Sequence, residues 1–205
     1  MSQLLLQNRK IVLGITGGIA AYKACELCRL LVKNGAEVRV VMTEAAAKMV
    51  GPATLSALTH HEVMTDVFQD AEGIDHIAIT NDADLYVGAP ATANSIAKFA
   101  CGLADNALTT SVLASACPLV IAPAMNTRML LNPATKQNLK TLQDRGVYII
   151  APEDGELACG DKGMGRMRNP EDIFSYICAL LNDHIALPYK GFEPEALPSP
   201  EEPAA

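Results

Sequence analysis

Four short stretches of this 205-residue chain carry side chains whose types and spacing suit chemistry. Thr16-Gly17-Gly18 precedes Ile19-Ala20-Ala21-Tyr22-Lys23. A hydroxyl and two glycines ahead of a helix bring backbone N–H groups close to an anion, helped by the helix dipole. The same residues also suit a plain tight turn, and the pattern is neither GxGxxG nor a Walker loop. APATANS (89–95) and APAMNTRM (122–129) each follow an apolar run that a proline ends. Thr92, Asn94 and Ser95 suit a ring edge or ribityl hydroxyls, Met125 is a soft contact for a flat ring, and Asn126 offers a donor and an acceptor. Those asparagines equally suit helix caps. In ELACGDKGMGRMRNP (156–170), Cys159 sits among Gly160, Gly163 and Gly165 with Lys162, Arg166 and Arg168 nearby. Such a segment suits a turn, a phosphate cradle, or a mobile lid carrying a reactive thiol whose pKa the neighbouring cations can lower. His76 precedes the short apolar run IAI, where a histidine is either catalytic or structural.

The elements that position these residues alternate. KIVLGIT (10–16), EVRVVMT (37–43), DLYVGAP (84–90), PLVIAPA (118–124) and VYIIAP (147–152) read as strands buried on both faces, being continuous in Val and Ile. DHIAIT (75–80) is a weaker strand candidate. Helical patterns are expected at about 19–33, 44–59, 93–115, 134–145 and 170–182. Asn132-Pro133 and Asn169-Pro170 mark the starts of the last two. The alternation predicts an α/β fold, a single-domain doubly wound parallel sheet with helices on both faces. Ligands then bind beyond the carboxyl ends of the strands, where all four stretches fall. Thr43 ends the second strand, where an acid reading a dinucleotide ribose usually lies. A hydroxyl there favours a mononucleotide with a terminal phosphate.

Composition narrows the class. A formal net charge of −7 and the lack of a basic run argue against a nucleic-acid binder. The apolar patch in MSQLLLQNRK is too short for a signal peptide, and no run is long enough to span a bilayer, so no membrane association and a cytoplasmic location are expected. Of six cysteines, Cys25 and Cys28 form a CxxC inside an amphipathic helix with no second ligand pair at zinc spacing. They read as packing residues, and no metal is expected. Residues 184–205, with PYKGFEPEALPSPEEPAA, read as a flexible acidic tail after a domain spanning 1–183.

Taken in order, TGGIAAYK, a histidine before a short apolar run, PATANS, PAMNTRM and ACGDKGMGRM resemble the flavin-dependent cysteine decarboxylases (HFCD) over roughly residues 8 to 182. They are most similar to the members that act on 4'-phosphopantothenoylcysteine in coenzyme A biosynthesis. The resemblance implies a Rossmann-like or flavodoxin-like three-layer fold, FMN as cofactor, and a homo-oligomer (a trimer, or a dodecamer of trimers). It places the flavin phosphate at Thr16, Gly17, Gly18 and Thr43, and the ring and ribityl chain near Ala91, Thr92, Asn94, Ser95, Ala124 and Met125. It makes His76, Asn126 and Cys159 catalytic. Substrate is expected against Asn126, Met129, Ala158, Cys159, Gly160, Gly165, Arg166 and Met167, with the segment carrying Cys159 closing over it.

The implied reaction oxidises the substrate CH2–SH to a thioaldehyde, whose C=S draws off the electrons left by departing CO2. Reduction and protonation of the ene-thiol follow. In it Asn126 fixes the carboxylate, Cys159 supplies the last proton, and His76 assists oxidation or positions the carboxylate. Several positions differ from the common family pattern: PATANS for PASANT, Gly18 for serine, Leu130 for an aromatic, and Asn81-Asp82 where a basic residue and a tryptophan often stand. Other readings are a peptidyl-cysteine decarboxylase, a flavin prenyltransferase-like enzyme, or a non-enzymatic phosphatase-regulatory relative. Whether the chain is monofunctional or part of a fusion with a synthetase stays open.

Overall fold

The computed structural model describes residues 4–67, 75–156, 158, 160 and 162–182, the side chains of residues 75–77 excepted. In chain order the elements are β1 (Lys10–Ile15), α1 (Ala21–Lys33), β2 (Glu37–Met42), α2 (Glu44–Ala47), α3 (Pro52–Thr59), β3 (Val63–Met64), α4 (Asp75–Asn81), β4 (Leu85–Ala91), α5 (Ala93–Cys101) and α6 (Ala107–Ala114). They continue with β5 (Leu119–Pro123), α7 (Thr127–Leu131), α8 (Pro133–Asp144), β6 (Tyr148–Ile149), β7 (Glu153–Glu156), β8 (Lys162–Arg166) and α9 (Pro170–Leu181). β1 to β6 form one parallel sheet in the order β3-β2-β1-β4-β5-β6, while β7 and β8 pair as a separate antiparallel hairpin. The order reverses direction between β1 and β4, and the crevice that opens there is where such sheets hold ligands.

Burial on both faces explains the continuous apolar runs. Ile11, Leu13 and Ile15 of β1 point into one core with Leu27 and Leu31 of α1 and Ile173 and Ile177 of α9. Val12, Tyr86 and Ile121 point into the other, with Ile96, Leu108 and Leu139. Gly14 shares that second face because a Cβ there would come within 2.8 Å of the Tyr86 ring. The Tyr86 hydroxyl, fully buried, meets Ser111 Oγ at 2.8 Å. Cys28 is buried against the first core and Cys25 half-buried beside it, so the CxxC packs the α1 face.

Several expected elements differ. The run at 75–80 is helix α4, not a strand. β4 pairs with β1 rather than β3, so the chain must cross the sheet between them, and a parallel crossover is normally helical. The helix expected at 44–59 is two, broken by Gly51-Pro52, and that at 93–115 is two, ended by Gly102 in the left-handed region at φ +69°. The last sheet strand shrinks to Tyr148–Ile149. The segment read as a glycine loop is the β7–β8 hairpin.

At the sheet's amino edge the first and last elements meet. Arg9 pairs with Asp84 at 3.1 Å and donates to the Leu181 carbonyl at 2.7 Å, and Asn182 Nδ2 donates to the Leu5 carbonyl. Lys10 and Arg39 both pair with Asp82 along the same edge. Residues 184–205, expected as a tail, lie outside the described residues. Among the described residues no helix is long and apolar enough to cross a membrane.

Candidate functional site

A cavity of about 1210 Å³ opens at the carboxyl edge of the sheet. The turns after β1, β2, β4 and β5 form its floor, and the β7–β8 hairpin stands over it. Gly17, Gly18 and Thr43 border one part; Thr92, Asn94, Ser95, Ala124 and Met125 another; Asn126, Met129, Ala158, Gly160, Gly165, Arg166 and Met167 the rest. The four sequence stretches therefore converge, although they are far apart in the chain.

Local structure accounts for the placement. A Cβ at Gly17 would overlap Ala45, and one at Gly18 would lie 3.1 Å from Thr92 Cγ2, so the first turn packs flush against the starts of α2 and α5. No side chain caps α1 or α5. The positive dipole ends of both helices therefore border the cavity; in α1 the Ala21 and Lys23 N–H groups already donate to the Gly18 and Ala20 carbonyls, at 2.9 and 3.0 Å. Thr43 caps α2 instead, accepting from the Ala46 N–H at 3.1 Å. Asn126 caps α7, its Oδ1 accepting from the Arg128 N–H at 2.8 Å, which fixes the amide at the cavity wall. The hairpin docks through the Met125 N–H, which donates to the Gly165 carbonyl at 3.0 Å. Gly165 has φ +142°, and a Cβ on it would collide with the Met125 carbonyl.

Two expected contacts fall behind the wall. Thr16 is fully buried, and its hydroxyl donates to the Pro90 carbonyl at 2.7 Å and accepts from the Thr92 N–H at 3.0 Å. It braces β1 against the turn after β4 rather than facing an anion. Ala91 is fully buried at the end of β4 and does not line the cavity. His76 lies in α4 with its side chain outside the described residues, as is Cys159 altogether.

The site also holds groups the sequence reading passed over. Lys23, Lys98, Asn106 and Glu156 border the cavity. Lys98 pairs with Asp105 at 2.7 Å, and that pairing holds the Asp105 carboxyl below its usual value. Arg166 pairs with Glu153 at 2.9 Å. Lys23 lies in the quoted TGGIAAYK stretch, and its place on the first turn of α1 was the available signal. Burial chiefly, and the nearby Arg166 charge, push its ammonium below the ordinary lysine value.

Comparison with known proteins agrees with this fold. The curated relatives include the coenzyme A biosynthesis bifunctional protein CoaBC of Bacillus subtilis, 50% identical over 82% of this chain and 42% of its own length. The CoaBC of Mycobacterium tuberculosis is 45% identical over 88% of this chain and 43% of its own. The chain thus spans about two fifths of these relatives' length. Among solved structures, a cysteine-to-serine mutant of PPC decarboxylase complexed with pantothenoylaminoethenethiol superposes with a TM-score of 0.77, at 33% identity over 85% of this chain and 98% of that one. The FMN binding protein AtHal3 gives a TM-score of 0.72 at 33% identity, over 85% of this chain and 97% of that one. The Flavoprotein family profile matches residues 2–182, and the chain belongs to that family.

Proposed function

We propose that the chain catalyses the FMN-dependent decarboxylation of 4'-phosphopantothenoylcysteine to 4'-phosphopantetheine, a carboxy-lyase step of coenzyme A biosynthesis. The observation that carries the reading is Asn126, fixed by its own helix cap at the wall of the cavity that the β7–β8 hairpin overhangs. Similarity over nearly the whole length of a PPC decarboxylase supports it. The cavity suits a flavin mononucleotide. The uncapped start of α5 offers N–H groups, and the positive dipole end of α1 adds its field, to a phosphate and ribityl chain beside Gly17, Gly18 and Thr43. Thr92, Asn94, Ser95, Ala124 and Met125 offer polar and soft apolar contacts for the rest. Bound there, FMN supplies the two-electron oxidation and re-reduction of the thiol-bearing carbon.

The chain's own residues then orient and protonate. Asn126 holds the substrate carboxylate in line for loss of CO2, a restriction worth several powers of ten in effective concentration. His76 assists proton removal from the thiol or positions the carboxylate. Cys159 donates the last proton to the ene-thiol carbon, and the hairpin excludes water while it does so. Ile19, Tyr22 and Met129 are exposed apolar side chains bordering the cavity, which supports a homo-oligomer, a trimer or an assembly of trimers, covering that rim in the cytoplasm.

The test is turnover by purified protein with a Cys159→Ser variant beside it. Expected are a yellow protein, release of CO2 and formation of 4'-phosphopantetheine, with the variant accumulating a species two mass units lighter. Protein that FMN cannot reconstitute, or that leaves the substrate intact, would overturn the reading.

A further inference from the structure

The β7–β8 hairpin brings little apolar surface to its contact with the rest of the fold. EDGE and KGMGR contain no β-branched or aromatic residue, and the Met125 N–H ties the hairpin down by donating to the Gly165 carbonyl. Its inner face is bare backbone. Gly155 and Gly163 are partners across the two strands and so share one face. A Cβ on Gly163 would come within 2.7 Å of Thr127 Oγ1, and one on Gly155 within 3.3 Å of Arg166 Nε. One on Gly165 would collide with the Met125 carbonyl. The hairpin therefore sits flush on the first turn of α7 and on the Arg166 guanidinium.

That close fit seals two polar atoms. Among the described residues, Thr127 Oγ1 and Arg166 Nε are the buried side-chain polar atoms without a hydrogen-bond partner, and both belong to this one contact. Elsewhere buried hydroxyls are paired, as Thr16 and Tyr86 are. A polar group buried without a partner disfavours the conformation that buries it, because water satisfies the group once the cover is gone. Thr127 does not border the cavity, so a ligand bound there leaves its hydroxyl unmet. Lifting the hairpin satisfies it. A segment with few apolar contacts and an internal penalty of this kind belongs to the low-stability end of a fold. Ala158, Gly160, Gly165 and Arg166 of the same segment border the cavity, so its lifting widens the entrance.

We infer that the unmet Thr127 hydroxyl biases the hairpin toward opening and so sets how readily ligands enter and leave the cavity. Thr127 is a positioning residue that acts through the hairpin, and the inference goes beyond the proposed activity. Hydrogen exchange at the Met125 amide of the purified protein measures the equilibrium, because lifting the hairpin releases that amide. Thr127→Val and Thr127→Ala remove the hydroxyl, the alanine without added bulk beneath Gly163, while Thr127→Ser keeps it. The expected result is exchange slower than wild type by about tenfold or more in Thr127→Val, and slower in Thr127→Ala than in Thr127→Ser. The urea midpoint of the sheet is not lowered. In the proposed decarboxylation, whose product leaves through this opening, kcat and KM of Thr127→Val fall together and Thr127→Ser restores both. Equal or faster exchange in the variants without the hydroxyl would overturn the inference, because the hydroxyl would then hold the hairpin down. Slower exchange with unchanged kcat and KM would overturn the link to ligand passage. Failure of the wild type to turn over 4'-phosphopantothenoylcysteine would remove the proposed activity and leave the exchange rates to decide the inference.

Discussion

The Thr16 hydroxyl joins two turns at once, donating to the Pro90 carbonyl at 2.7 Å and accepting from the Thr92 N–H at 3.0 Å. Thr16→Val keeps the shape and removes both bonds, leaving the Thr92 N–H without that acceptor while the Pro90 carbonyl keeps only the Thr16 backbone N–H at 3.3 Å. The expected cost is about 2–3 kcal/mol, read as a lower urea midpoint with an unchanged m value. Thr16→Ser keeps both bonds and should lie close to wild type. Equal stability of the valine and serine variants would contradict the bracing role.

Gly165→Ala forces a side chain onto a φ of +142° and into the Met125 carbonyl. About 3 kcal/mol of destabilisation is expected, and it should fall on hairpin docking first. Hydrogen exchange would then show the Met125 amide opening faster than the strands of the sheet.

Asn126→Asp separates capping from substrate binding. An aspartate accepts from the Arg128 N–H as well as asparagine does, so thermal stability should hold within about 2 °C. Its charge opposes the substrate carboxylate, and kcat/KM should fall by about a hundredfold or more. A variant that retains activity would remove Asn126 from the carboxylate site, and one that unfolds easily would show that an aspartate cannot replace the cap.

The Lys23 ammonium is held below its ordinary value, first by burial and then by Arg166. Below that lowered pKa both folded and unfolded chains carry the proton, so the unfavourable burial is felt in full. Between it and the ordinary lysine value of 10.5 the unfolded chain binds more proton, and stability contributed by this residue rises with pH. Lys23→Met should therefore be more stable than wild type at pH 7, with the gap narrowing as the pH approaches 10. Denaturation midpoints for the two proteins at both pH values test the sign.

Burial pushes the Cys28 thiol up to about 12 and the Cys178 thiol up to about 11. Neither has appreciable thiolate at pH 8. Iodoacetamide should label exposed Cys101 in the folded protein and leave Cys28 and Cys178 untouched until denaturant is added. Peptide mass spectrometry reads the outcome, and rapid labelling of Cys28 would mean that the CxxC is not packed.

The parallel sheet was legible because strands covered on both faces must be apolar throughout, as KIVLGI and LYVGAPA are. Periodicity cannot separate a six-residue apolar run from a short helix, which is why α4 read as a strand. The β7–β8 hairpin was hidden because EDGE and KGMGR lack β-branched or aromatic residues; docking against Met125 positions it. Asn126 and the PATANS turn were readable from side-chain type. Thr16 was not, since a hydroxyl before Gly-Gly looks the same whether it faces a phosphate or a carbonyl more than seventy residues away. Lys23 was passed over because a lysine on a helix ordinarily faces water, and here the approach of Met167 and Asn169 encloses it.

The joint between Arg9 and the Leu181 carbonyl sets a direction of departure. α9 runs alongside α1 from the cavity edge to the opposite one, so both ends of the described fold emerge together, about 20 Å of strand length from the cavity mouth. The chain therefore passes Asn182 on the side of the sheet away from the mouth, so a ligand entering the cavity does not have to pass this point.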